Sequence, residues 1–173
     1  MRLAFLMLLF FLVTHYLDLE LNFLGNRPRT LMGLAGILFA PLLHVSWLHI
    51  LSNVFPLLFF GTLVYWFYPP IAQAVLMRCY FLPSVLVWLI AMGNLHIGAS
   101  GMIYGLAFFL IFFGFFRKDM RSLLISIVVI AFYGSLFYGV LPGQPGVSWE
   151  YHLAGAVTGL ISAFEFSKVF IKR

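Results

Sequence analysis

Residues 100 to 116 read Ser100-Gly-Met-Ile-Tyr104-Gly105-Leu-Ala-Phe-Phe-Leu-Ile-Phe-Phe-Gly114-Phe-Phe116, an uncharged apolar run that stops at Arg117-Lys118-Asp119. Its hydrophobic residues are continuous rather than alternating, so it reads as a helix of near-bilayer length and not as a barrel strand. Working outward, five further runs of the same kind cover about 3 to 17, 47 to 67, 71 to 92, 122 to 140 and 151 to 167. The 173 residues are 64% hydrophobic and 9% charged with a mean hydropathy of +1.07, against roughly 25% charged in an ordinary soluble domain. So much apolar surface must be covered by protein or lipid, which excludes a water-soluble globule and a disordered chain. The sequence predicts an all-α polytopic membrane protein, a six-transmembrane-helix bundle forming a single membrane domain over 1–173.

The first run follows Arg2 as a signal peptide would. Tyr16-Leu17-Asp18-Leu19-Glu20 follows it in place of a small-residue cleavage site, so it is expected to be a retained span. With the N-terminus inside and the spans alternating, Arg2, Arg78, Arg117, Lys118, Arg121, Lys168, Lys172 and Arg173 fall on or near the inner side. Only Arg27 and Arg29 fall outside. Both termini are then cytoplasmic, and the outer side holds a long connection from 18 to 46, a turn around Asn94 to Gly98 and a Gly/Pro-rich loop from Val140 to Trp149. That loop, with Pro142, Gly143, Pro145 and Gly146, is the expected mobile cap, and the fifth span beside it the expected side gate. The net charge of +5 sits at the ends of spans, which suits membrane orientation and not nucleic-acid binding. The single cysteine, Cys79, lies within a span and can form no internal disulfide.

Polar side chains at membrane depth cost stability unless they face the bundle interior or a wet cavity. Here they are few and gathered. His44, His49 and Asn53 stand at the start of the second span, Ser100 and Tyr104 at the start of the fourth, and His152 at the start of the sixth. In an alternating topology these three spans all begin on the outer side, so the six residues share one depth. Gly101 and Gly105, and Gly155 and Gly159, have the small-xxx-small spacing that lets helix backbones approach closely. Ser100 follows Gly98-Ala99 at a helix N-terminus, where backbone N–H groups and the helix dipole favour an anion. His49 and Asn53, four apart and on one helix face, can add side-chain donors to form an oxyanion hole. A serine needs a base to become a nucleophile, and a neutral His152 braced by Tyr104 supplies one. Glu150 lies on another part of the sixth helix and is no third member. The Gly-x-Ser-x-Gly elbow of soluble hydrolases is absent, since Met102 stands where its last glycine belongs, and so is the His-Glu-x-x-His zinc motif.

In these residues the chain resembles the rhomboid intramembrane serine proteases. His44-Val-Ser-Trp-Leu-His49-Ile-Leu-Ser-Asn53 resembles that family's His-x4-His-x3-Asn motif, Gly98-Ala-Ser100-Gly101 its Gly-x-Ser-Gly, and His152-Leu-Ala-Gly155 with Gly159 its His-x-x-Gly-x-x-x-Gly. The resemblance implies Ser100 as nucleophile, His152 as base, and the Ser100 N–H, His49 and Asn53 as oxyanion donors. It also implies that Gly98 shapes the loop, Tyr104 stacks on His152 and His44 supports the site. Its substrates would be transmembrane proteins, hydrolysed at a site opening to the outer face of a bacterial inner (plasma) membrane, with neither cofactor nor metal. Two departures stand out. Ala35-Gly36 lies about where many members carry Trp-Arg in the first external loop, and Tyr151 replaces the alanine common before the last histidine, leaving less room for close helix packing. Two competing readings are a catalytically silent relative that binds membrane helices, and a haem protein with His49 and His152 as axial ligands. His15 and His96 are expected to be surface or loop histidines.

Overall fold

The computed structural model describes residues 2–92, 95–143 and 146–171, so Asn94, Pro145, Lys172 and Arg173 of the sequence reading lie outside the described residues. The helices are α1 (Arg2–Tyr16), α2 (Leu31–Phe39), α3 (Trp47–Phe67), α4 (Pro69–Ile90), α5 (Ser100–Arg117), α6 (Met120–Tyr133), the four-residue α7 (Leu136–Gly139) and α8 (Trp149–Ile171). No strand occurs among the described residues; one isolated antiparallel bridge joins Asn26 to His96. The six expected spans correspond to α1, α3, α4, α5, α6 and α8. By length and composition α3, α4 and α5 can cross a membrane, while α1 and α6 are shorter apolar helices.

Each helix starts where its sequence permits. Ser46 caps α3 by accepting the His49 N–H at 3.1 Å, Thr30 caps α2 through Gly33, and Asp119 caps α6 through Ser122. Lys118 takes the left-handed conformation (φ 59°) that ends α5, so a single turn, 117–119, reverses the chain into α6. Pro69 and Pro70 occupy the first helical positions of α4, where a missing N–H costs nothing, so only Tyr68 separates α3 from α4.

At the centre stands α5, with 72% of its spanning window buried against 33% for α3 and 28% for α4. It packs most extensively on α8, then on α6, α4 and α3. Part of the α5–α8 contact brings backbone against backbone. A Cβ added at Gly155 would strike the Gly101 carbonyl, and one at Gly159 would strike the Gly105 carbonyl and approach Phe109 N to 2.7 Å. On the opposite side, Gly114 admits α6, whose Ser126 hydroxyl donates to the carbonyls of Ile111 (2.7 Å) and Leu110 (3.0 Å). Met7, Phe11, Ile50, Phe60, Leu106 and Phe109 fill the space between α1, α3 and α5. The outer helices turn Phe5, Leu48, Trp66, Ile90 and Phe132 outward, the inverse of a water-soluble surface.

Two connections differ from the sequence reading. Residues 18 to 46 contain α2, whose Gly33 and Gly36 lie against the backbone of 25–27 so closely that a Cβ on either would clash with it. The hydrophobic run 122 to 140 is not one helix: α6 ends at Tyr133, and Gly134-Ser135 turn the chain into α7.

Close backbone packing gives a direct test. Gly155→Val should lower the melting temperature steeply, because overpacking at a backbone contact typically costs about 1–3 kcal/mol or more. Gly61→Ala, at a helix position with nothing within 4 Å, should leave stability unchanged or raise it by up to about 1 kcal/mol. Equal melting curves for Gly155→Val and wild type would mean that the helices do not meet through these glycines.

Candidate active site

Five of the six polar residues form two groups, and Ser100 begins the helix that carries Tyr104. In the first, the rings of His44 and His49 meet edge to face with centroids 4.8 Å apart. His49 Nε2 is aimed at Gly98, where an added Cβ would lie 2.6 Å from it. Gly98 has φ +98°, a left-handed conformation that a side chain would strain, and its N–H donates to the Ala40 carbonyl at 2.8 Å. Glycine is therefore required here twice, by backbone conformation and by the histidine against it. Asn53 is buried; one amide hydrogen goes to the His49 carbonyl at 2.7 Å, and its Oδ1 has no hydrogen-bond partner.

The second group lies across the α5–α8 contact. Tyr104 and His152 stack face to face, with ring centroids 4.0 Å apart and planes 10° from parallel. Helix side chains lean toward the N-terminus, so the Tyr104 ring comes back to the level of Ser100. His152 Nδ1 lies 3.0 Å from the Gly139 carbonyl oxygen. A carbonyl only accepts, so Nδ1 carries the proton in this bond, and in the neutral ring Nε2 holds the free lone pair. Gly139 is needed as glycine, since a Cβ would overlap the Tyr104 hydroxyl and sit 3.4 Å from His152 Nδ1. Ser100, His49 and His152 are partly accessible, whereas His44 and Asn53 are buried.

Ser100 is the first residue of α5, and no side chain caps that helix. The N–H groups of its first turn thus have no partner within the helix. Among the described residues no hydrogen bond joins Ser100 to His152; such pairs commonly tighten only with substrate in place. A recess of about 250 Å³ beside His44 is lined also by Thr14, His15, Asp18 and Asn22. No group of three metal-ligating side chains occurs among the described residues.

At several points the structure corrects or extends the sequence reading. His96 is in a loop but not at the surface: it is 1% exposed, because its backbone pairs with Asn26 and its ring is enclosed by Ser148 and Glu150. His15 is exposed and leans on Phe11 and Trp47. Tyr151 does not keep α5 and α8 apart: it is fully buried, its ring fills the space over Gly101, and its hydroxyl meets Ser84 Oγ at 2.8 Å. The external connection lacks Trp-Arg yet is anchored. Arg29 donates to the Ala91 carbonyl at 2.8 Å, Trp88 Nε1 to Thr30 O at 2.9 Å and Asn26 Nδ2 to Ser84 O at 2.7 Å. Gly139 could not have been singled out from sequence, because its role depends on where the chain after α6 turns back.

The helical bundle and the apolar exterior define an all-α integral membrane protein with a polar pocket at one end. The Rhomboid domain model matches residues 28–169, so the chain belongs to the rhomboid family. It is 38% identical to uncharacterised proteins of Mycobacterium tuberculosis and Mycobacterium bovis over 160 residues, 83% of this chain and 63% of theirs. To an uncharacterised protein of Mycobacterium leprae it is 36% identical over 149 residues, 76% of this chain and 56% of that one. The chain thus spans under two thirds of the length of these mycobacterial relatives.

The histidine beside Gly98 gives a stability test. Burial, with the neighbouring His49 adding to it, pushes the His44 pKa down from 6.5 to about 4. The unfolded chain therefore binds a proton between pH 6.5 and 4 that the folded protein does not, so the His44 contribution is full above pH 6.5 and is lost as pH falls through 4. The stability difference between wild type and His44→Asn should be largest at pH 7 and shrink steadily toward pH 4. A difference independent of pH would show His44 to be solvated.

Proposed function

We propose that the protein is an intramembrane serine protease that hydrolyses peptide bonds in or near transmembrane segments of membrane-protein substrates. One observation carries the reading: the Gly139 carbonyl fixes the proton of His152 on Nδ1, so that Nε2 is the basic nitrogen on the helix packed against the one that Ser100 begins. In this mechanism His152 Nε2 takes the Ser100 hydroxyl proton as Oγ attacks the substrate carbonyl. The oxyanion of the tetrahedral intermediate is received by the Ser100 N–H, His49 and the second amide hydrogen of Asn53. His152 then protonates the leaving amine, and water hydrolyses the acyl-enzyme by the same steps in reverse order of partners. Tyr104 stacking and the Gly139 carbonyl hold the imidazole in place; His44 and Gly98 hold His49; Gly101, Gly155 and Gly159 hold the helices together.

The wider setting belongs to the same proposal. Residues 1–173 act as a single membrane domain in a bacterial inner membrane, with both termini cytoplasmic and the site opening outward, as the distribution of Lys and Arg favours. Substrate enters past α6 and the loop after α7. A silent helix-binding relative would have no need of a tautomer-fixed histidine. A haem held by His49 and His152 would leave Gly98, Ser100 and Asn53 without a role.

Ser100→Ala and His152→Ala should each abolish cleavage of a transmembrane substrate, and the double variant should be scarcely worse than either single one, because the two act as a unit. Activity should rise with pH as His152 becomes neutral. A fluorophosphonate should label wild type at Ser100 and fail on His152→Ala. Proteolysis at the full rate by purified Ser100→Ala would remove the proposal; a wild type that neither cleaves nor takes the probe would favour the silent relative.

Asn53→Ala and His49→Ala should each lower turnover by about 100- to 1,000-fold with little change in KM, the usual effect of losing one preorganised donor. Melting temperatures measured beside the rates separate this from unfolding, and unchanged turnover in both would assign the two residues to packing alone.

A further inference from the structure

His96 stands four residues before Ser100, and Ser148 stands four residues before His152. Both lie outside the helices that carry the reacting pair, and the two side chains meet: His96 Nδ1 is hydrogen-bonded to Ser148 Oγ. Each of the two residues is tied by its backbone to something else. The His96 N–H and C=O both pair with Asn26, at 2.9 Å each, and Asn26 is fixed to α4 through Ser84. The Ser148 carbonyl accepts the N–H groups of Tyr151 and His152, both at 3.1 Å, as the first turn of α8 forms on it. The far side of the His96 ring faces Glu150, whose Oε2 lies 3.9 Å from Nε2 and whose Oε1 accepts the Met92 N–H at 2.9 Å. His96 Nε2 has no hydrogen-bond partner of its own.

This contact is placed where the glycine packing of α5 on α8 gives out. Gly101 and Gly155 fix the two helices one step inward, but Ser100 and His152 lie at or near their outer ends. Helix ends fray unless something outside them holds them. We propose that His96 is a positioning residue: by joining the loop that leads into Ser100 to the residue on which α8 begins, it sets the separation of Ser100 from His152. The inference rests on the reading of those two residues as the reacting pair. Burial lowers the His96 pKa against the opposing pull of Glu150, so a neutral imidazole makes the link, with Nε2–H toward the Glu150 carboxylate and Nδ1 accepting from the Ser148 hydroxyl. The groups around the ring are then Asn26, Ser148, Glu150 and the Tyr151 ring at 6.3 Å.

The test uses the purified full chain with a transmembrane substrate, and hydrogen exchange read by mass spectrometry. His96→Phe fills the space without the hydrogen bond, and Ser148→Ala removes its partner. Each should lower kcat about tenfold, the scale of one neutral hydrogen bond, with KM within about twofold. The double variant should be no slower than either single one, and Ser148→Thr, which keeps a hydroxyl, should cleave at close to the wild-type rate. Amides of 97–100 and 149–152 should exchange faster in His96→Phe and in Ser148→Ala, with the cores of α5 and α8 unchanged. Wild-type turnover by His96→Phe, or losses that multiply in the double variant, would overturn the proposal. Should wild type cleave nothing, the protease reading fails and the exchange data alone decide the link: faster exchange in both segments upholds it as a structural join, and unchanged exchange removes it.

Discussion

The structure depends on two helix backbones meeting without side chains between them. Inside a bilayer the lipid tails are as apolar as any leucine, so burying hydrophobic surface does not by itself drive helices together. What remains is close packing and polar contact, and the α5–α8 pair uses the first to its limit at Gly155 and Gly159, which lie against the carbonyls of Gly101 and Gly105. The α5–α6 pair uses the second as well, with Ser126 donating to carbonyls of the helix it faces. Because α5 is held in this way on both sides, its body is fixed, and the polar side chains stand at the end of it where Ser100 begins the helix.

The polar end of the bundle follows from this in a definite order. Packing at Gly155 brings α8 close enough for Tyr104 to lie flat on His152, and the absence of a side chain at Gly139 lets the carbonyl of that residue reach the imidazole. The tautomer and orientation of His152 are fixed by a neutral backbone oxygen. A carboxylate at this depth would carry a large desolvation cost; a carbonyl left free by the end of a short helix carries little.

Most of the architecture was legible in the sequence because bilayer-length apolar runs and glycine spacing are local signals. The helical character of the long apolar runs, the glycine spacings of α5 and α8, and the placing of His49 and Asn53 in the first turns of α3, of Ser100 and Tyr104 in those of α5 and of His152 in that of α8 all came from counting along the chain. The misread parts depend on contacts between distant segments. Nothing local marks His96 as buried, since Asn26, Ser148 and Glu150 enclose it from elsewhere in the chain. Nor does hydropathy reveal that α6 stops at Tyr133, because the residues after the break are as apolar as those before it. The anchoring of the external connection was hidden for a related reason: Arg29, Trp88 and Asn26 make their bonds to backbone carbonyls, which leave no trace in side-chain patterns.

Tyr151 has a consequence for substitution at the positions around it. Its ring occupies the volume that Gly101 leaves empty, and its hydroxyl is satisfied by Ser84 on a third helix. Alanine at 151 would open a void and orphan the serine, whereas a larger residue at 101 or an apolar one at 84 would each collide with or strand the tyrosine. The three positions, on α4, α5 and α8, are therefore coupled: a change at any one of them is felt as a void, a clash or a lost hydroxyl partner at the others.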